Sequence, residues 1–304
     1  MTRRQRLPSL TALRAFHAVA RHRSLAQAAK ELLVSPQAVG QQIRLLEEEL
    51  KVTLFERKGR SIVPTETAIL LHHFVRSGFD EIAEGVRRVT QSGYRDRINL
   101  NASPYFASHF LMPLLTQLPR EANATDLRLT TMVDLPDFGR DDIDLAIQWG
   151  YGSWPDLDVT LLVRDPKVIL CTPQLAASIR DATDLARATL LDPIKSARLW
   201  PDIFAFLGAG AVPAERKIGF DDAATMRRAT LQGLGVGLIS EIDADEDLKS
   251  GALVAPLGRN ALGGMREEEV PGFYLVAPRS HLRVRSVAVL HQWLREQDWA
   301  AAVA

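Results

Sequence analysis

The chain has 304 residues and no net formal charge, with 46% hydrophobic and 24% charged residues, which fits a globular protein of two or three domains. Its single cysteine, Cys171, excludes an intramolecular disulfide and a cysteine-rich metal site, and we expect it to be buried. We find neither an apolar run that could span a membrane nor the apolar core of a signal peptide, so we expect a cytoplasmic protein without a membrane partner.

Charge is unevenly distributed along the chain. Residues 1–60 contain 12 lysines and arginines but only five aspartates and glutamates, so the remainder is acidic by the same margin. A basic head of this kind favours contact with a polyanion. Chance clustering on a solvated surface explains the charge alone equally well.

Three short helices are predicted at the start of the chain. Apolar residues at helical spacing indicate a first helix over residues 9–22. Ser24 and Ser35 are suited to cap the second and third helices, and Pro36 is tolerated at a first helical position. The four-residue step from Leu32 to Pro36 matches the tight connection of a helix-turn-helix.

The third predicted helix has two different faces. One face carries an apolar stripe: Val39, Ile43, Leu46 and Leu50. The other face carries polar residues around a glycine: Gln37, Gly40, Gln41 and Arg44. Glutamine suits pairing with an adenine edge and arginine suits guanine or phosphate, so this face predicts contact with the DNA major groove. The alternative is an ordinary solvated helix face.

Residues 52–65 predict a small hairpin with a basic tip. Apolar and polar side chains alternate around Lys58 and Gly59, with Arg57 and Arg60 beside them. A helix-turn-helix followed by such a hairpin is the winged form of the motif. Its helix enters the major groove, and its hairpin contacts phosphates or the adjacent minor groove.

The segment from Leu13 to Ala68 resembles the N-terminal domain of LysR-type transcriptional regulators. It contains the elements FHAVAR, AQAAKEL, AVGQQI and LFER in the order and spacing of that family. The resemblance implies double-stranded DNA as a partner. We expect base contacts from Pro36, Gln37 and Gln41, near the start of the helix at Ser35. We expect four basic residues to contact phosphates or the groove beside the hairpin: Arg44, Arg57, Lys58 and Arg60.

Gly40 departs from the family pattern, because LysR-type proteins commonly carry serine at this position. Glycine also costs about 0.5–1 kcal/mol of helix stability relative to alanine. One hypothesis is that Gly40 permits closer approach of the helix backbone to DNA or relaxes one base preference. The alternative is a tolerated loss of one contact.

Residues 64–93 form the predicted connector. Apolar residues recur through it at near-helical spacing: Ile69, Leu70, Phe74, Phe79, Ile82, Val86 and Val89. A single exposed helix does not keep such a stripe in water, so we expect it to pack against a second copy of itself. The alternative is a helix on the body of the same chain. The resemblance implies the first arrangement, which sets two heads on two DNA half-sites.

The remainder of the chain alternates strand-like and helix-like segments. Strands are predicted at 98–103, 126–133, 144–149, 168–173, 235–240 and 273–278. Helices are predicted near 105–118, 174–180, 184–189, 200–208, 221–233 and 284–297. The alternation predicts parallel α/β sheets, with ligand sites beyond the carboxyl ends of the strands.

The stretches FGRDDIDLAIQWGYGSWPDLD and FDDAATMRRATLQGLGVGL resemble the effector domain of the same family, in the subgroup typified by the glycine-cleavage activator. The resemblance implies two α/β subdomains of the periplasmic-binding-protein type. Their cleft would bind a small-molecule effector.

The effector site is predicted around the end of the first strand of this region. Ser103, Pro104 and Tyr105 begin a helix there, whose N-terminal dipole and free N–H groups suit a carboxylate or other anion. The alternative is that Ser103 is only an N-cap. Further candidates end or follow other strands: Met132, Asp134, Trp149, Phe220 and Asp222. Trp149 fits a core or hinge position equally well.

These features predict three parts: a winged helix-turn-helix (1–63), a long linker helix (64–93) and an effector-binding domain of two α/β subdomains (94–304). The expected function is sequence-specific regulation of transcription, controlled by a small-molecule effector. An anion is the candidate for this effector. We expect a homodimer or a dimer of dimers. The alternative is a small-molecule-binding protein whose DNA head is degenerate or serves only assembly.

We expect neither enzymatic activity nor a cofactor, because no nucleophile, base and orienting group can be assembled from the sequence. His72 and His73 are adjacent, so they point to different faces of a helix and cannot share a metal ion.

Overall fold

The computed structural model describes residues 7–58, 61–90, 97–118, 126–210, 216–299 and 301. The chain divides into two compact units, residues 1–92 and 93–304. None of the helices in the described ranges combines the length and apolar character needed to cross a membrane.

The described part of the first unit contains four helices and one hairpin. In chain order they are α1 (Leu10–His22), α2 (Leu25–Leu32), α3 (Pro36–Leu50), β1 (Phe55–Lys58), β2 (Ser61–Pro64) and α4 (Glu66–Thr90). Strands β1 and β2 pair antiparallel, as the hairpin prediction requires. The turn residues Gly59 and Arg60 lie outside the described residues.

Side-chain caps fix where α2 and α3 begin. The Ser24 hydroxyl accepts a hydrogen bond from the Gln27 N–H at 3.3 Å, and the Ser35 hydroxyl accepts one from the Ala38 N–H at 3.2 Å. Between them the chain turns at Leu33, which adopts the left-handed conformation with φ of 56°. This tight reversal sets α3 against α1 and α2 in the predicted helix-turn-helix.

The apolar stripe of α3 anchors it to the head. Val39, Ile43 and Leu46 are buried, and they pack with Phe16 and Leu54 in one core. Because this stripe is held inside, the polar residues on the opposite side of α3 face outward.

Helix α4 extends the first unit and packs on α1 through a pair of histidines. The rings of His17 and His72 stack with centroids 5.0 Å apart, and Phe79 contacts His17 edge-on. His17 Nδ1 and His72 Nε2 are buried without a hydrogen-bond partner. Burial lowers the pKa of both imidazoles, and the nearby Arg21 and Arg76 lower it further, while Glu31 partly opposes the effect at His17.

The described part of the second unit contains nine strands. They are β3 (Arg97–Ala102), β4 (Asp126–Thr131), β5 (Leu145–Gly150), β6 (Leu157–Arg164), β7 (Lys167–Leu170), β8 (Thr189–Pro193), β9 (Arg216–Phe220), β10 (Gly237–Ser240) and β11 (Gly272–Pro278).

Helices alternate with these strands. The first, α5, is a helical run in which Pro104–Phe106 is followed by a π-helical turn at Ala107–Leu111 and by Met112–Leu114. The others are α6 (Pro173–Ala176), α7 (Leu199–Phe206), α8 (Ala223–Leu231), α9 (Glu241–Ser250) and α10 (Arg285–Glu296). Short 3-10 turns lie at Leu115–Gln117, Asp184–Arg187, Glu267–Glu269 and His281–Arg283.

The second unit has two large hydrophobic cores, which lie on different sheets, and two smaller buried clusters. The first core lies between the five-stranded sheet β4-β3-β5-β11-β6 and helices α5 and α10, with Phe106 and Leu290 among its buried residues. The second core lies among β7 to β10, α7 and α8, with Trp200 and Leu238 among its buried residues. This confirms the predicted pair of α/β subdomains.

The prediction that the sheets are parallel is wrong for two strands. β3 is parallel to β4 and β5, and β8 is parallel to β9, but β11 runs antiparallel to β5 and β6, and β10 runs antiparallel to β7. Strands β7 and β11 are the two that begin where the chain passes from one subdomain to the other. They start at the edge where the other strands end, so they run in the opposite direction.

Three strands and one helix were not predicted. β8 is short and ends in proline, while β9 opens with the exposed Arg216 and Lys217. β6 is half-buried along nearly its whole length. Helix α9 has five acidic residues in ten and no apolar stripe to signal it. The six predicted strands lie within three residues of their predicted ends.

The histidine pair makes the packing of α1 on α4 sensitive to pH. Because the folded pKa values lie below the ordinary value of 6.5, the neutral forms favour folding. The stability that depends on them is therefore complete above about pH 6.5 and falls as the pH drops towards the lowered pKa values. Between pH 6.5 and 5 the protection factors of the α1 and α4 amides, which compare each exchange rate with the intrinsic rate at the same pH, should fall.

The control is the double variant His17→Phe/His72→Phe, which keeps two stacked rings but has no titrating group. Its α1 and α4 amides should show no excess change over this range. An unchanged pH profile in the double variant would show that other groups cause the effect.

Candidate functional site

The first candidate surface is the outer face of α3. Ser35, Pro36, Gln37, Gln41 and Arg44 are all exposed along this helix. Their side chains bring a hydroxyl, two amides and a guanidinium to one side of a helix held from behind by its buried stripe. Such a face can offer hydrogen bonds to base edges and phosphates.

Gly40 lies on α3 at the edge of this face and is half-buried. A Cβ atom built there would have Leu25 Cδ1 as its nearest neighbour at 3.9 Å, which is an ordinary van der Waals contact. Packing against α2 therefore does not require glycine at this position.

The predicted basic tip of the hairpin is described only in part. Arg57 and Lys58 lie in β1, and their side chains are outside the described structure, as is the whole of Arg60.

The second candidate surface is a cleft between the two subdomains of the second unit. It contains about 680 Å³ of space, part of it open solvent. Its walls are mostly apolar, and polar groups reach it from the ends of four strands: Ser103 after β3, Gln148 in β5, Lys195 after β8, and Asp221 and Asp222 after β9. This is the expected place for a ligand in an α/β fold.

Asp165 forms the polar floor of this cleft at the first crossing between subdomains. Its carboxylate accepts hydrogen bonds from Trp149 Nε1 at 2.7 Å, Lys167 Nζ at 2.5 Å and Ser240 Oγ at 2.7 Å. Its backbone N–H donates to the carbonyl of Pro271, at the second crossing, at 2.8 Å. The side chains of Asp165 and Lys167 are only 2% and 7% exposed, so this ion pair is buried.

Trp149 joins the two subdomains beside that floor. Its indole ring packs against both hydrophobic cores while lining the cleft. Lys167 Nζ lies 5.4 Å from the ring centroid. The sequence left Trp149 open as a cleft residue or as a core or hinge residue. In the structure it lines the cleft and also packs against both cores where the subdomains meet.

Ser103 and Tyr105 close the cleft at the start of α5. The Ser103 hydroxyl accepts a hydrogen bond from the Phe106 N–H at 3.3 Å, so it caps this helix. Tyr105 stacks on His109 with centroids 4.1 Å apart, and His109 Nε2 lies 3.4 Å from Asp243 of the other subdomain. Burial raises the pKa of the Tyr105 phenol, which stays neutral and can donate or accept a hydrogen bond.

The predicted effector residues divide between the cleft and its surroundings. Six line the cleft: Ser103, Pro104, Tyr105, Trp149, Phe220 and Asp222. Met132 packs instead against a buried cluster that contains Ile143 and Tyr274. Asp134 does not line the cleft, but its carboxylate forms an ion pair with Lys195, which does.

The sequence missed several lining residues, among them Gln148, Asp165, Lys167 and Lys195. Gln148 and Lys195 lie near the carboxyl ends of strands, where ligand sites are expected, so the same reasoning could have found them. Nothing local in the sequence marks Asp165 as a cleft residue, because Trp149 and Ser240, which donate to it, lie 16 and 75 positions away.

The described residues contain no group of three or more histidine, cysteine, aspartate or glutamate side chains placed to hold a metal ion. Burial raises the pKa of the Cys171 thiol to about 11. This thiol is therefore poorly suited to act as a nucleophile at neutral pH.

Comparison with known proteins identifies both units. The family model for the bacterial regulatory helix-turn-helix protein of the lysR family matches residues 10–68, and the model for the LysR substrate binding domain matches residues 91–299. The chain belongs to the LysR family. This LysR-type regulator has a DNA-binding helix-turn-helix and an effector-binding domain, as the sequence predicted.

Individual relatives align along almost the whole chain. The glycine cleavage system transcriptional activator of Escherichia coli K12 is 31% identical over 298 residues, covering 95% of this chain and 94% of the relative. The transcriptional activator AmpR of Pseudomonas aeruginosa is 33% identical over 294 residues, with 96% of each chain covered. The effector-domain structure of that AmpR superimposes with a TM-score of 0.55 and 29% identity, covering 69% of this chain and 98% of the domain.

The LysR-type effector domain should depend strongly on the buried Asp165 carboxylate. Asp165→Ala leaves the Lys167 ammonium buried without its counterion and removes the acceptor of Trp149 and Ser240. We expect the free energy of unfolding to fall by about 3–5 kcal/mol. Urea unfolding followed by tryptophan fluorescence measures it, because all five tryptophans lie in the second unit.

Two further variants control this measurement. Asp134→Ala breaks an exposed ion pair and should cost less than about 1 kcal/mol. Asp165→Ala/Lys167→Met removes both buried charges and should recover part of the loss. Equal losses for Asp165→Ala and Asp134→Ala would contradict the assigned role of Asp165.

Proposed function

We propose that this LysR-type regulator reads double-stranded DNA through α3 and the hairpin that follows it. Gln37, Gln41 and Pro36 contact base edges from the exposed face of α3, near its Ser35 cap. Arg44, with Arg57, Lys58 and Arg60 of the hairpin, contacts phosphates or the neighbouring groove. The observation that carries this proposal is the exposed polar face of α3, which lies opposite the buried Val39, Ile43 and Leu46. A protein that acts on DNA in this way works in the cytoplasm.

We infer that α4 joins two copies of the chain. Six of its apolar side chains are more than half exposed in the single chain: Ile69, Leu70, Phe74, Ile82, Val86 and Val89. Phe79, by contrast, packs with the head. A second copy of α4 would cover the exposed side chains and set two reading heads on two half-sites, and pairs of dimers would extend the arrangement to a tetramer.

The cleft beside Asp165 is the proposed effector site, and it binds its ligand without transforming it. Ser103, Tyr105, Trp149, Phe220 and Asp222 are the proposed contacts. Ligand binding there favours one relative position of the two subdomains, and the oligomer passes this preference to its DNA heads.

The test of the function is binding of the full chain to its own upstream intergenic DNA as a function of salt concentration. A regulator shows one preferred sequence and an affinity that falls steeply with salt. Equally weak binding to every DNA tested would favour a small-molecule-binding protein with a degenerate head.

Two variants of α3 separate base reading from phosphate contact. Gln41→Ala should relax preference at particular base pairs by about 1–3 kcal/mol, whereas Arg44→Ala should weaken binding to all sequences and reduce the salt slope by about one. Binding to a library of single-base operator variants measures both.

Gln42→Ala is the matched control, because Gln42 is a neighbouring glutamine that is half-buried. It should leave the base preference unchanged. If Gln41→Ala and Gln42→Ala alter the preference equally, Gln41 is not a base reader.

Gly40→Ser tests the departure from the family pattern. The new Cβ meets only an ordinary contact with Leu25, so α3 should keep its place and gain stability of up to about 1 kcal/mol. We expect higher operator affinity with the same base preference, from one added hydroxyl contact. Loss of affinity in a correctly folded variant would show instead that glycine allows close approach of the helix backbone to DNA.

A further inference from the structure

One loop, residues 194–198, bridges the mouth of the effector cleft. Lys195 pairs with the carboxylate of Asp134, and Ser196 Oγ donates to the Tyr151 hydroxyl at 3.3 Å. The Arg198 guanidinium lies 4.4 Å from the centroid of the Tyr151 ring. The loop follows β8 in the second subdomain, whereas Asp134 and Tyr151 follow β4 and β5 in the first. These contacts therefore link the two subdomains at the mouth.

The two lysines that line the cleft differ in how firmly they are paired. The Lys167 and Asp165 side chains are 7% and 2% exposed, so separating them would leave charges buried without partners. The Lys195 and Asp134 side chains are 35% and 77% exposed. An exposed pair contributes little net stability, so Lys195 can exchange one carboxylate for another at small cost.

The surroundings of Lys195 restrict the anion that could replace Asp134. β8 and β9 are parallel and aligned from Thr189 to Pro193, and the Ile194 N–H donates to the Phe220 carbonyl at 2.9 Å. Lys195 and Asp221 therefore follow neighbouring strands at the same edge of the sheet. Asp221 is exposed and would repel a second negative charge on the ligand.

Other charged groups at the cleft are already engaged. The Asp222 carboxylate accepts bonds from the N–H and hydroxyl of Thr225, both at 2.7 Å, and Lys167 is neutralised by Asp165. Lys195 is thus the cation open to exchange among the described lining residues. Beside it the walls are apolar, with Pro193, Phe220 and Trp149 among the lining residues.

We propose that the cleft binds an apolar monocarboxylate whose carboxylate takes Lys195 from Asp134, so that ligand entry releases the ion pair across the mouth. This inference rests on the proposed effector function of the cleft. No bond is made or broken. The ligand exchanges its hydration for the ammonium of Lys195, and Asp134 returns to water.

A matched pair of probes tests the exchange in the full chain: 3-phenylpropionate and its neutral amide, 3-phenylpropionamide. Ligand-observed NMR titration measures the dissociation constants. Asp134→Asn frees Lys195 in advance, so it should bind the carboxylate about 2–5-fold more tightly than the wild type. Lys195→Gln should bind it about 10–100-fold more weakly. Lys195→Arg should stay near the wild type, and amide binding should change less than twofold throughout.

Lys217→Gln is the matched control. Lys217 also pairs with an aspartate, Asp192 at 3.4 Å, and lies in the same subdomain, but it does not line the cleft. It should leave both dissociation constants unchanged.

Three outcomes would overturn the proposal: equal carboxylate binding by the wild type and Lys195→Gln, no preference for the carboxylate over the amide in Asp134→Asn, or no measurable binding by Asp134→Asn at all. Operator binding by the wild-type chain without any probe is a separate measurement. If that binding is intact and the exchange fails, only the ligand class and the exchange are wrong. If operator recognition fails as well, the proposed function is wrong.

Discussion

The buried carboxylate of Asp165 is the interaction on which the effector domain depends. It lies at the first crossing between the two subdomains, holds side chains from β5, β7 and β10, and ties its own backbone to the second crossing at Pro271. Hydrogen bonds are strong in a buried site of low dielectric, and leaving one of these buried groups unpaired would lower the free energy of unfolding. Both crossings between the subdomains are therefore tied together at this one carboxylate.

The same crossings explain what the sequence could and could not predict of the fold. Alternation of apolar segments revealed six strands and, in the head, the helix-turn-helix with its hairpin, whereas the two α/β subdomains were implied by the family resemblance. It carries no information about strand direction. β7 and β11 have the apolar character of buried strands, but they enter their sheets from the cleft edge and run in reverse. β9 opens with two charged residues and α9 is largely acidic, so neither shows the pattern that hydrophobic periodicity can detect.

For the cleft, the rule that ligands lie beyond carboxyl ends of strands placed Ser103, Trp149 and Phe220 at its lining. The rule did not find residues whose contacts come from distant parts of the chain. Lys195 meets Asp134 across 61 positions of the chain, and Asp165 meets Ser240 across 75. Met132 shows a different limit, since Val133 beside it lines the cleft while Met132 packs against the buried cluster that contains Tyr274. Side chains alternate along extended chain, so an error of one residue changes the face.

The two candidate surfaces are constrained to different degrees. On α3 the buried stripe supplies the core packing, so the exposed residues can vary without cost to that core, and a Cβ at position 40 meets only an ordinary contact. In the cleft, Trp149, Asp165 and Lys167 both line the site and join the subdomains, so replacing them to fit another ligand would damage the hinge. Lys195, Asp134 and Asp221 carry charge at the mouth without supporting a core. Under the proposed exchange, substitutions at these positions change ligand selectivity while the contacts of Asp165 stay intact.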